Sequence, residues 1–195
     1  MRLSGHPDSG VLGRTLSDMV QSVLAPHDLH AASAADMPEA RALAAELIGP
    51  CIATVAVFDA VQLRTGGAAV FVQHEAGQVS GVLGVVPLTP AGLGAVLAET
   101  FNARAPDLRH VCGPHDRPAA AYGWGIAGST KSARKAVVGG TIALHEDAFP
   151  DIPLFSRAAT PEGERVILGA FGFSRMAGST TGLMTRAPLL QEHAA

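Results

Sequence analysis

Gly128-Ser129-Thr130-Lys131 stands between an apolar, aromatic run, Tyr122 to Ala127, and a segment with helical periodicity. The first N–H groups of a helix have no partner inside it. A strand that turns through small residues into a helix start therefore offers an anion free donors and the positive end of a dipole. Lys131 and Arg134 can add charge-assisted contacts. The chemistry that fits is the holding of a phosphorylated ligand. Tyr122 and Trp124 are two residues apart and so share one side of the strand. The tyrosine is the candidate for proton transfer, with His110 and His115, in the irregular stretch before the strand, as candidate bases.

Two other chemistries fit less well. A Walker loop begins with Gly123, four residues and Gly128, but it needs lysine directly after the second glycine, and Ser129-Thr130 intervene. His110, Cys112 and His115 are close, yet no second pair completes four zinc ligands, and no metal is expected.

The elements that position this junction can be read in chain order. Residues 1–11 read as a loose arm, and Leu12 to Leu24 as a short amphipathic helix stopped by Pro26. Leu29 to Ala35 is a weak strand candidate. Asp36, with Pro38 and Glu39 behind it, predicts a capping-box-like start for a helix whose face is Ala40, Leu43, Ala44, Leu47 and Ile48. Cys51 to Arg64 fits strand or helix, with helix preferred. Ala68 to Glu75 and Gln78 to Val86 read as a hairpin turning at Ala76-Gly77 and ended by Pro87, with Gly81 and Gly84 marking a bulge or a close approach.

Thr89-Pro90 starts a helix with Leu93, Val96, Leu97, Thr100 and Phe101 on its face. Residues 102–118 read as irregular, with a brief strand at Leu108 to Cys112. After the junction, Ala133, Ala136, Val137, Gly140 and Leu144 line a helix that Gly139-Gly140 weakens unless packing there is close. Leu154 to Ala159 is a short strand, Thr160-Pro161 begins a helix that closes at Gly172, and Met176 to Met184 is a last strand or hairpin. Phe149, Phe155, Phe171 and Phe173 are core by default.

The chain has 195 residues, 48% of them apolar and 16% charged, with a net charge of −3. That is a globular composition without the basic footprint of a nucleic-acid binder. Cys51 and Cys112 form no CxxC pair and read as small buried apolar residues in a reducing compartment. The polar N-terminus has no apolar signal segment, and no apolar run reaches the ~18–20 residues of a membrane span, so a cytoplasmic protein is expected. The composition leaves a homodimer open.

This order of elements resembles the GNAT superfamily of CoA-dependent N-acyltransferases. The likeness is carried by Glu75-Ala76-Gly77-Gln78-Val79-Ser80-Gly81, by Ile126 to Ala136, and by Thr160-Pro161-Glu162-Gly163 leading to Ala170-Phe171-Gly172-Phe173. It implies one α/β domain over 27–186, a mixed central sheet with helices on both faces, between a 1–26 extension holding a short helix and a 187–195 tail. It also implies acetyl-CoA or another acyl-CoA as co-substrate and an amine as acceptor. Mapped by position, pantetheine would run beside Trp124, Ile126 and Ala127, and the diphosphate would lie over Lys131, Ser132, Ala133, Arg134, Lys135 and Ala136. Two positions depart from the family pattern. Arg134 stands where the phosphate loop has glycine, and Leu168 where a general-acid tyrosine is common. The expected function is acyl transfer to an amine by direct attack. The alternatives are a CoA-binding or protein-interaction module that has lost chemistry and, more remotely, a nucleotide-phosphate binder.

Overall fold

Ala76 and Gly77 take φ of 52° and 80°, the left-handed pair that a two-residue hairpin turn demands. They join β2 (Val70–Glu75) to β3 (Gln78–Leu88), the antiparallel hairpin at the heart of the sheet. The computed structural model describes residues 14–189, so the expected arm at 1–11 and the end of the tail lie outside it. Seven strands form one sheet in the order β1-β2-β3-β4-β5-β7-β6. β1 is His30–Ala31, β4 Ala120–Gly128, β5 Leu154–Ser156, β6 Ser174–Arg175 and β7 Met184–Arg186. β4 and β5 pair in parallel, and every other pairing is antiparallel.

Helices cover both faces. On one side α2 (Met37–Leu47), α3 (Val55–Arg64) and α4 (Pro90–Leu97) bury Met37, Phe58, Val61 and Val96 over Val70, Val72, Val82 and Val86. On the other, α1 (Leu16–Leu24) and α5 (Lys131–Ala143) bury Leu16, Val20, Leu24 and Val137 over Phe71, Leu83 and Val85. The alternation along β3 sends neighbours to opposite helical layers, so one strand serves two cores. The glycines of α5 are where α1 and its following turn press closest. A Cβ at Gly140 would meet Leu29 at 2.5 Å, and one at Gly139 would meet the His27 ring at 2.7 Å. Close packing thus offsets the poor helix propensity of this pair.

Several local expectations are corrected. Asp36 precedes α2 but does not cap it. Its backbone is helical, and its carboxylate instead accepts the Ser33 N–H and Oγ–H at 2.8 and 2.7 Å and contacts His74 Nε2 at 3.0 Å. Glu39, expected to complete the box, accepts the Val79 N–H of β3 at 3.1 Å. β3 runs through Pro87 to Leu88, because the proline's backbone polar groups face away from β4. Its carbonyl accepts Cys112 N–H at 2.9 Å, so the missing N–H costs the β3–β4 ladder nothing. α4 stops at Leu97, which is half exposed. The chain reverses at Glu99 (φ 57°), and Phe101 reaches the core from the returning segment. Leu108 to Cys112 forms a 3₁₀ turn and a single bridge, Leu88 to Val111, rather than a strand.

The cysteines differ. Cys112 is fully buried, and burial pushes its thiol up to about 11, whereas Cys51 is exposed in the α2–α3 loop rather than buried. A thiolate is the reactive form. Ellman's reagent at pH 8 is therefore expected to titrate one thiol in the native protein and two in denaturant.

Candidate functional site

The site is built on β4. Gly84 of β3 faces Gly125 and Val85 faces Gly123, so Trp124 is the extra residue of a bulge. Gly84 permits it, since a Cβ there would lie 3.2 Å from the Trp124 Cβ. The indole stacks 4.8 Å from Phe58 and donates Nε1–H to the Ala103 carbonyl at 2.6 Å. One half-buried ring thus ties α3, the irregular segment after α4 and β4 together.

On its other side β4 pairs with β5 for only three residues, Ala121 to Gly123 against Leu154 to Ser156. Ser156 Oγ–H closes this short ladder on the Gly123 carbonyl at 3.1 Å. From Trp124 onward the two strands separate, leaving that edge of β4 unpaired. Ser129 N–H donates to the opposite Ser80 carbonyl, and by alternation Ala127 and Gly125 also address β3. The backbone groups of Ile126 and Gly128 then face the open side, where an extended amide-bearing chain can pair with them as an added strand would.

The open edge runs directly into the start of α5. Thr130 caps it, accepting Ala133 N–H at 3.0 Å and donating to the Glu75 carboxylate at 2.9 Å. Arg134 N–H is taken by the Thr130 carbonyl. The N–H groups of Lys131 and Ser132 have no partner among the described residues, and both residues are exposed. α5 has no acid in its first turn, and Lys131, Arg134 and Lys135 are exposed there. None of the three is in an ion pair with another described residue. α6 (Pro161–Ala170) begins at the same end of the sheet, because β4 and β5 are parallel, but it is filled differently. Pro161 lacks an N–H, Thr160 caps Gly163, and Glu162 and Glu164 supply negative charge. Of these two helix starts, α5 is the one that can take an anion.

Gly128 sets how tightly this turn closes. A Cβ there would meet Arg134 N at 2.7 Å and the Ala133 carbonyl carbon at 2.9 Å. The close approach that the resemblance assigns to a glycine at 134 is made here at Gly128, against protein backbone. Arg134 points its exposed side chain outward.

The remaining candidates separate. Tyr122 is buried, 4% exposed, with Phe101 5.1 Å away between it and His110, whose ring lies 6.4 Å from Phe101. Burial pushes the phenol up, while the Arg157 cation and its hydrogen bond pull the other way. Tyr122 therefore keeps its proton at neutral pH. His115 has no hydrogen bond or ring contact with it among the described residues. Its neighbour Pro114 packs under Gly66 and accepts Leu16 N–H at 2.8 Å, before β4 begins. About 16 Å of strand separates Ala120 from Gly125 at ~3.3 Å per residue. Leu168 is half-buried on α6, a helix with no buried residue at all. Among the described residues no group of three or more His, Cys, Asp or Glu side chains is placed to hold a metal, and no helix is long and apolar enough to cross a membrane.

No family model matches the chain, and no curated protein matches it. Solved structures do. The AAC(6')-Ib structure in complex with Parmomycin and AcetylCoA superposes with a TM-score of 0.49 at 16% identity, over 85% of this chain and 95% of that one. The GphF GNAT-like decarboxylase in complex with isobutyryl-CoA gives 0.48 at 15%, over 82% and 98%. Ribosomal-protein-alanine N-acetyltransferase from Brucella melitensis gives 0.48 at 14%, also over 82% and 98%. No residue's role is carried over from these proteins.

Sequence reasoning missed Arg157 and Ala103, and it placed Phe101 on the face of α4 rather than in the returning segment. Arg157 had one available signal: it lies two residues after Phe155, and so continues the core-facing side of β5 just past its end.

Proposed function

We propose that this protein binds an acyl-CoA along the open edge of β4 and transfers its acyl group to an amine. One observation carries the reading. β4 parts from β5 after Gly123, and its free edge leads straight to the cationic first turn of α5, where the Lys131 and Ser132 N–H groups have no partner among the described residues. Pantetheine amides pair with the backbone near Ile126. The diphosphate sits over the Lys131 and Ser132 N–H groups, with Lys131 and Arg134 as counter-charges. The thioester is then held at the Trp124 bulge, where β4 and β5 separate.

The amine attacks the thioester carbonyl in a ternary complex. The C–N bond forms, the C–S bond breaks, the nitrogen loses a proton and the leaving thiolate gains one. With leucine at 168, the protonated Tyr122 or a water supplies that proton. Most of the rate enhancement is positional.

The burial of Tyr122 and the leucine at 168 favour a second reading, a CoA-binding module without transfer. Thermal shift and calorimetry with acetyl-CoA and longer acyl-CoAs test the binding shared by both readings, with saturable stabilisation expected. Thiol release with an amine panel separates them. Absence of binding by every CoA species rejects both.

A further inference from the structure

Arg157 follows the last residue of β5. Tyr122 faces Phe155 across the parallel ladder, so Arg157, two residues on, projects on the same side as both rings. Its Nε and Nη2 are buried and have no hydrogen-bond partner among the described residues. It forms no ion pair with any of them. The Glu164 carboxylate of α6 is taken by Arg175 at 2.9 Å. The phenol of Tyr122 is the neighbour that its guanidinium does address.

A partly buried guanidinium whose Nε and Nη2 are buried and idle is unfavourable unless an anion joins it, and its planar fork matches a carboxylate. Arg157 also stands where β4 and β5 separate. Immediately after it, Ala158, Ala159, Thr160, Glu164, Thr181 and Gly182 line an open pocket of about 260 Å³. The β6–β7 loop, which brings Thr181 and Gly182 to this pocket, is tied to the turn after α4. Thr180 donates its N–H and Oγ–H to the Glu99 carboxylate at 3.2 and 2.9 Å.

We infer that Arg157 is a specificity-determining residue that receives a substrate carboxylate at the apex of the β4–β5 opening. The inference rests on the acyl-CoA reading. Two sources share this chemistry: the free carboxylate of a dicarboxylic acyl group, or the carboxylate of an amino-acid-like acceptor.

The test compares wild type, Arg157→Gln and Arg157→Lys, all checked by thermal melting. Calorimetry with acetyl-CoA and succinyl-CoA is the first arm. Acetyl transfer to amino acids and to their amides is the second. If the acyl group carries the carboxylate, succinyl-CoA binds at least tenfold more tightly than acetyl-CoA, and Arg157→Gln removes that preference while leaving acetyl-CoA affinity within twofold. If the acceptor carries it, the amino acid exceeds its amide at least tenfold in kcat/KM, Arg157→Gln abolishes the difference, and Arg157→Lys restores part of it. A merely structural arginine would move melting temperature and all ligands together, which overturns the proposal. So does equal handling of charged and uncharged substrates by the wild type. Titration of succinate alone against the arginine Nε–H resonances judges the guanidinium without any CoA. A saturable shift of the Arg157 signal supports it and its absence overturns it, even if CoA binding, and with it the acyltransferase reading, fails.

Discussion

Replacing Gly128 by alanine is expected to lower acyl-CoA affinity at least tenfold and to destabilise the fold by roughly 1–3 kcal/mol, the cost of overpacking a close contact. The new Cβ would stand 2.7 Å from Arg134 N, 2.9 Å from the Ala133 carbonyl carbon and 3.0 Å from Arg134 Cα. All three are backbone atoms, so no side chain can rotate out of the way. The first turn of α5 must lift from the end of β4. It is held there by Ser129 on Ser80, by the Thr130 cap and by the Thr130–Glu75 contact. Lifting it displaces the Lys131 and Ser132 N–H groups relative to the open strand edge, and geometry of that kind is what anion recognition depends on. Gly94→Ala is the control. Nothing lies within 4 Å of its Cβ, and alanine on an exposed helical position should add about 0.5–1 kcal/mol. Urea unfolding and calorimetry with acetyl-CoA read both variants.

Trp124→Ala is the second large effect, with an expected loss of about 3 kcal/mol, near the low end for removing a large ring because this one is half-buried. The ring gives up its contact with Phe58, and the Ala103 carbonyl loses its donor at 2.6 Å. Trp124→Phe retains most of the packing and should cost about 1 kcal/mol, the worth of one hydrogen bond. The functional consequence differs from that of Gly128. With the indole gone, the bulge and the segment after α4 are no longer pinned, so transfer rate falls more than CoA affinity. Comparing kcat with the CoA dissociation constant separates the two effects.

What could be read in the sequence was what short-range physics decides. Ala76-Gly77, Thr89-Pro90 and Thr160-Pro161 each name a turn or a helix start through their own backbone preferences, and each stands where the spacing puts it. The small-residue face of α5 was equally legible, because helical periodicity is local. What depends on distant partners was not. Asp36 looks like a cap until Ser33 and His74 take its carboxylate. Pro87 looks like a strand end until the side on which its N–H is missing is known. The junction at Gly128–Lys131 could be located, but the short β4–β5 ladder that opens the edge beside it depends on residues some thirty positions downstream. Arg157 was hidden for the same reason, since a charge at the end of a short strand declares itself only when its neighbours prove apolar.

The central claim is that acyl-CoA lies along β4 from Trp124 and ends on the first turn of α5. Hydrogen–deuterium exchange with and without saturating acetyl-CoA addresses it directly. The expected result is slowed exchange confined to residues 124–134, strongest at Ile126, Gly128, Lys131 and Ser132. Saturable binding with protection elsewhere, or no change in exchange anywhere at millimolar acetyl-CoA, would contradict the account.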